Sequence, residues 1–327
     1  MTNKTKLSPE RVREAALGAL LGLAVGDALG VPVEGTRREA RREDPVREMR
    51  AYGRHYQPAG TWSDDTSMTV CLMHSLTEKG IDYADQMQRY RDWALNDRYT
   101  AHNETFDVGN ATYAAIMRSV HGVSATACGG TGERDCGNGS LMRTMPIGLF
   151  LRTKYRRRVL EPEAARVIHL TSDVTHAHPL CEMACGIYCA VLFRLTDGGD
   201  LREAVTESVR ASLDFYRGQP AFAGVFPQFE SLADVGAWDE DRISSGGFAL
   251  HTLQAALWCL LTTESYSECV LRAVNLGRDT DTTGAVAGAL AGLWYGADAI
   301  PEEWLETLAK RNELTDLAER FAAECCA

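Results

Sequence analysis

Helical spacing of apolar residues runs through almost the whole chain. Ser8-Pro9 opens the first helix, since Ser is a favoured cap and Pro suits the first helical position. Leu17, Leu20, Leu21, Ala24 and Ala28 then share one face at steps of three and four. The same spacing predicts helices over 66–79, 82–95, 107–120, 141–151, 161–172, 179–195, 200–216, 247–262, 266–275, 281–295 and 301–323. Period-two alternation bounded by turns is nearly absent, so strands are not expected. Segment 31–60 carries Pro32, Pro45 and a dense run of Arg and Glu, and reads as irregular. Segments 121–140 and 217–246 are rich in Gly, Ser and Asp, and read as loops. No shift of composition marks a linker. The pattern predicts an all-α fold in a single large domain over 8–323, although 327 residues suggest two domains on length alone.

Two predicted helices share an unusual stripe. Gly18, Gly22 and Gly26 lie four apart, and so do Gly284, Gly288 and Gly292. Each helix-interior Gly costs about 1 kcal/mol relative to Ala. Spacing of four puts each trio on one face, where a second backbone can approach closely. The other reading is that Gly and Ala are simply abundant in this chain.

Composition narrows the function. Apolar residues make up 45% and charged residues 24%, which excludes a disordered or fibrous chain. A net charge of −11 argues against nucleic acid as the main ligand, because phosphate neutralisation needs a basic surface. The apolar runs at 15–33 and 284–297 are interrupted or bounded by Asp27, Asp281 and Asp298, so no membrane insertion is expected. Glu10 and Glu14 fall where a signal peptide would be basic. The ten cysteines therefore read as reduced thiols of a cytoplasmic protein. Cys181, Cys185 and Cys189 share a helix face, as a buried stripe of small side chains or as metal ligands.

The chemistry concentrates in two acidic clusters, each just before a helix. One is Thr61-Trp62-Ser63-Asp64-Asp65-Thr66, the other Gly277-Arg278-Asp279-Thr280-Asp281-Thr282-Thr283. A helix cap explains one acid in each and leaves the others without a purpose. Carboxylates with hydroxyls, and no Cys or His, suit Mg²⁺, Mn²⁺ or Ca²⁺. Adjacent Asp64 and Asp65 diverge, as is expected for two ions about 3.5–4 Å apart.

With these residues in view, the sequence resembles the ADP-ribosylglycohydrolase family from about residue 11 to about residue 300. The opening helix with Glu34, Ser63-Asp64-Asp65-Thr66, Asp279-Thr280-Asp281-Thr282, Phe106-Asp107-Val108-Gly109-Asn110, Gly137-Asn138-Gly139-Ser140-Leu141-Met142-Arg143 and Thr175-His176-Ala177-His178-Pro179 carry the resemblance. It implies an orthogonal helical bundle, two Mg²⁺ or Mn²⁺ ions, and hydrolysis of the bond between ADP-ribose and a protein side chain. Ser63, Asp64, Asp65, Asp279, Asp281 and Thr282 match metal ligands; Glu34 and Asp65 match catalytic positions. Asp107, Gly109, Asn138, Gly139, Ser140, Met142, Arg143 and His176 match positions that bind ADP-ribose, and Phe248 is a candidate for stacking on adenine. His178 reads as structural. Many members have Gly where this chain has Arg278. The expected partner is an ADP-ribosylated protein, with arginine favoured over serine linkage because an acid-rich cleft suits a cationic guanidinium. A non-catalytic ADP-ribose sensor and a structural protein that reuses the fold are the rival readings.

Overall fold

The computed structural model describes residues 6–327. Among them are fourteen α-helices and no strand, only isolated bridges such as Tyr52 with Gln57 and Gly137 with Phe248. The helix from Pro9 to Gly30, α1, begins where the sequence places it, with Ser8 Oγ accepting from Arg11 N–H. Helices α3 (Asp64–Lys79), α4 (Tyr83–Asn96), α7 (Pro162–Asp173), α8 (Pro179–Asp197), α9 (Leu201–Tyr216), α10 (Ala249–Leu261), α11 (Tyr266–Asn275) and α12 (Thr280–Tyr295) fall within two residues of expectation.

The departures are local. Helix α5 (Asn110–Val120) starts three residues late, because Asp107 has φ 59° and cannot begin a helix. Helix α6 (Met145–Thr153) also starts late, because the backbone at 138–144 is a run of turns. The segment read as irregular holds a short helix, α2 (Arg38–Glu43). The predicted helix at 301–323 is two, α13 (Glu302–Thr307) and α14 (Arg311–Cys326), broken where Lys310 has φ 55°. That break is anchored from outside: Ala309 N–H donates to Gly60 O, and its carbonyl accepts from Trp62 Nε1. The predicted 217–246 loop contains four 3₁₀ turns.

Helices α1 and α12 form the centre of the core. They run antiparallel, with Gly18 against Gly292, Gly22 against Gly288 and Gly26 against Gly284. A Cβ added at any of the six would lie within 2.4 Å of a backbone carbonyl oxygen of the facing helix. The close approach brings the C-terminal end of α1 to the N-terminal end of α12, where Thr280 Oγ1 donates to Gly30 O. Two helices are long and apolar enough to cross a membrane, Pro9–Val33 and Pro179–Asp197, but 94% and 83% of their apolar windows are buried inside the fold. All ten cysteines are free and nine are buried. The stripe Cys181, Cys185 and Cys189 is part of the core, facing hydroxyls and apolar side chains.

Candidate active site

The first acidic cluster is held from below by Asp27. Its carboxylate accepts from Ser63 N–H, from Thr66 N–H and from Thr66 Oγ1 at 2.6–3.0 Å. Asp27 is fully buried on α1, so the glycine contacts that fix α1 also fix the turn before α3. Burial pushes its carboxyl up to about 6 against the pull of those hydrogen bonds. Ser63 caps α3 through Asp65 N–H, which leaves both Asp64 and Asp65 free of any capping duty. Asp279 occupies the cap position of α12 and also makes no capping bond; its Oδ2 accepts instead from Asn138 Nδ2 at 2.6 Å.

The two clusters meet. Thr282 Oγ1 donates to Asp65 Oδ2 at 3.4 Å, and Ser63 Oγ lies 3.1 Å from the same oxygen. Burial first, then mutual repulsion, drives Asp64, Asp65 and Asp281 well above the usual carboxylate range. Asp65 Oδ1 and Asp281 Oδ2 are buried with no hydrogen-bond partner. An unpartnered buried carboxylate oxygen is costly, and a hard divalent cation among these donors removes the cost. The donor set is oxygen throughout, so the residues fit Mg²⁺ or Mn²⁺.

A cavity of about 510 Å³ opens onto this cluster. Glu34, Asp64, Asp107, Gly109, Asn138, Gly139, Met142, His176, Asp279 and Thr282 of the sequence-predicted set line it. Packing enforces one glycine of its wall: a Cβ on Gly139 would lie 2.8 Å from His176 Cε1. Burial, then the Arg143 guanidinium, pushes His176 down to about 3, so it meets a ligand as neutral imidazole. His178 caps α8 through Leu180 N–H.

Three assignments need correction. Arg143 is fully buried and does not line the cavity; its guanidinium donates to Tyr90 Oη, Thr171 O and Thr175 Oγ1 and lies 4.8 Å from the Tyr90 ring centre. It acts at one remove, by fixing Thr175, which is bonded to His176 Nδ1. Ser140 is also fully buried, with Oγ accepting from Ser172. The turns at 137–143 present Gly137, Asn138, Gly139 and Met142 to the cavity and direct Ser140 and Arg143 into the core. Phe248 is not part of the lining; its backbone pairs with Gly137 and its ring sits 5.0 Å from His251.

Sequence reasoning missed His55. Its Nε2 lies 2.5 Å from Glu34 Oε2 and 3.9 Å from Asp107 Oδ1, with the ring against Phe106. The hydrogen bond to Glu34 and the charges of Asp107 and Glu34 raise its pKa. Ligand atoms of Glu34, His55, Asp107 and Asp281 all lie within 4.8 Å of one another. Asp107, read from sequence as a substrate contact, thus stands in the acid cluster as well as on the cavity wall. His55 lies in a short turn that periodicity does not register.

The chain has relatives among known proteins. Residues 8–327 match the family model for ADP-ribosylglycohydrolase. The chain belongs to the ADP-ribosylglycohydrolase family. It is 34% identical to ADP-ribosyl-[dinitrogen reductase] glycohydrolase of Rhodospirillum rubrum over 312 residues, covering 92% of each chain. It is 32% identical to ADP-ribosylarginine hydrolase Tri1 of Pseudomonas putida (strain GB-1), covering 96% of this chain and 80% of that protein. A solved structure, titled ADP-ribosylglycohydrolase-related protein complex, superposes with TM-score 0.75 at 32% identity over 97% of this chain and 99% of that one. The ADP-ribosylglycohydrolase fold is therefore shown together with a hydrolase activity on ADP-ribosyl glycosidic bonds.

The acid cluster ties metal affinity to pH. Burial and mutual repulsion favour the protonated form of Asp64, Asp65 and Asp281, so a cation bound among them would compete with protons. The apparent Kd for Mn²⁺ is expected to fall with rising pH, roughly tenfold per pH unit for each proton displaced. Stability of the metal-free protein has the opposite trend. A group whose pKa is higher folded than unfolded stabilises the fold at low pH, and that contribution is lost as pH rises through the folded value, about 6 for Asp27. Calorimetric titration with Mn²⁺ and melting curves with EDTA, both from pH 5 to 8, check the two signs.

Proposed function

We propose that this chain hydrolyses the N-glycosidic bond between ADP-ribose and a protein arginine side chain, with two Mg²⁺ or Mn²⁺ held by Ser63, Asp64, Asp65, Asp279, Asp281 and Thr282. The observation that carries the metal reading is the pair of buried, unpartnered oxygens on Asp65 and Asp281, whose neighbours Asp64, Asp279 and Thr282 line the cavity. Arginine is supported by the name of the Pseudomonas relative. It is also supported by a cleft where Glu34, Asp64, Asp107 and Asp279 favour a cationic leaving group.

Cations held by Ser63, Asp64, Asp65, Asp279, Asp281 and Thr282 would supply Lewis acidity, orienting the ribose and making a nearby water more acidic. The chain's own residues supply the rest. His55 holds Glu34 Oε2, which leaves Oε1 free to take a proton from the attacking water. The ribose C1–N bond breaks through an oxocarbenium-like state, the water oxygen bonds to C1, and the proton ends on the departing guanidine. Asn138 restrains Asp279, and the glycine wall with neutral His176 gives the diphosphate N–H donors without a competing negative charge. Asp27, out of reach of any ligand, keeps the turn at 63–66 in place.

The test is release of ADP-ribose from matched peptides modified on arginine or serine, with and without EDTA. Arginine is expected to be preferred in kcat/KM. A preference of about tenfold or more for serine, worth about 1.4 kcal/mol at the transition state, overturns the linkage and leaves the family intact.

A further inference from the structure

Beside the catalytic cavity lies a second one of about 420 Å³, and Arg278 lines both. Five arginines face the second cavity against two acids, Glu39 and Asp241, which reverses the sign of a chain with net charge −11. Three of the five are engaged. Arg38 donates to the carbonyls of Leu276, Glu240 and Ile243. Arg42 pairs with Glu240 and Asp241, and Arg242 lies 3.7 Å from the Trp238 ring centre. Arg37 and Arg278 are exposed and have no side-chain hydrogen bond or ion pair among the described residues.

These two free guanidinium groups are mounted on one rigid piece of backbone. Arg278 N–H donates to Thr36 O, and Gly35 N–H donates to Arg278 O, both at 2.6 Å. Arg278 has φ 64°, a left-handed conformation that glycine adopts freely and an arginine does not. A strained backbone next to a reaction centre points to a side chain with work at that place. Its position says which part of a substrate it meets. Arg278 precedes Asp279, and Gly35 follows Glu34, so this rim borders the acid cluster where the scissile bond must lie. On the far side of that bond is the target protein, which is too large for a 510 Å³ cavity and has to rest on the rim.

We infer that Arg37 and Arg278 form a subsite for acidic side chains flanking the modified residue of the protein substrate. The inference rests on the reading that protein-linked ADP-ribose is the substrate, and it is independent of arginine or serine linkage. Carboxylates suit paired guanidinium groups through bidentate hydrogen bonds. An acidic target is otherwise repelled by the net charge of this chain, and a local cationic rim selects the orientation in which it can approach.

The experiment uses ADP-ribosylated peptides that differ only in flanking residues, acidic or neutral, and free ADP-ribosyl-arginine without any flank. The wild-type protein is expected to prefer the acidic flank roughly three- to tenfold in kcat/KM at low salt. The preference should lie in KM and disappear at high salt. The variant Arg37→Gln/Arg278→Gln is expected to bring the acidic-to-neutral ratio to about one. A wild-type ratio near one, or a ratio that survives the double substitution, overturns the inference. So does an equal loss on all three substrates, which places these arginines on the diphosphate instead. Fluorescence anisotropy with the same labelled peptides gives Kd without turnover. A flank preference in Kd with no cleavage of either linkage therefore defeats the hydrolase reading and not the subsite. Cleavage without flank preference in either measurement defeats the subsite alone.

Discussion

Alanine at Gly288 is expected to destabilise the protein by about 3 kcal/mol or more, at the upper end of overpacking costs. The sign is informative. In an exposed helix Gly→Ala stabilises by about 1 kcal/mol, because alanine is the better helix former. Here the new Cβ lies 2.2 Å from Gly22 O and 3.0 Å from Gly22 C. Neither is the end of a flexible side chain, so α1 and α12 have to separate. That separation also breaks the hydrogen bond from Tyr266 Oη to Gly22 O. Gly224 has nothing within 4 Å of a built Cβ and serves as the control, with Ala expected to be near neutral there. Urea unfolding of Gly288→Ala and Gly224→Ala checks both. A Gly288→Ala protein as stable as wild type contradicts the close packing of α1 on α12.

Loss of divalent metal, or Asp65→Asn, is expected to lower turnover by about a thousandfold or more, about 4 kcal/mol at the transition state. Mg²⁺ or Mn²⁺ should restore the EDTA-treated wild type and fail to restore Asp65→Asn. Stability should move the other way. Asp65 Oδ1 is buried without a partner, and the charges of Asp27, Asp64 and Asp279 repel the carboxylate. A neutral amide relieves that repulsion, so metal-free Asp65→Asn should melt no lower than metal-free wild type. A variant that is both inactive and strongly destabilised in EDTA assigns Asp65 a structural role. Turnover that resists EDTA removes the metals from the reaction.

The sequence makes some of this arrangement readable and hides the rest, for physical reasons. The glycine stripes are visible because helical period and residue size together encode the contact: only a backbone can fill the space that three aligned glycines leave. The two acidic clusters are visible because capping accounts for too few of their acids, and the structure gives none of Asp64, Asp65 and Asp279 a capping bond. Direction within a turn is not visible. Ser140 and Arg143 each directly follow a cavity-lining residue, Gly139 and Met142, and still point into the core, because turn dihedrals carry no period. His55 escapes for the same reason. It reaches Glu34 because Gly53 packs onto Pro32 O, closer than any Cβ allows, and nothing in the local pattern announces that contact.

The joining of α1 to α12 has a consequence for synthesis of the chain. Thr280 reaches back 250 residues to the Gly30 carbonyl. At about 5–20 residues per second, α1 leaves the ribosome roughly 12–50 seconds before α12 exists. During that interval an apolar helix long enough to pass for a membrane span stands without the partner that later covers it. The nascent chain is thus exposed to aggregation, and dependent on chaperones, through a segment that later lies buried at the centre of the fold.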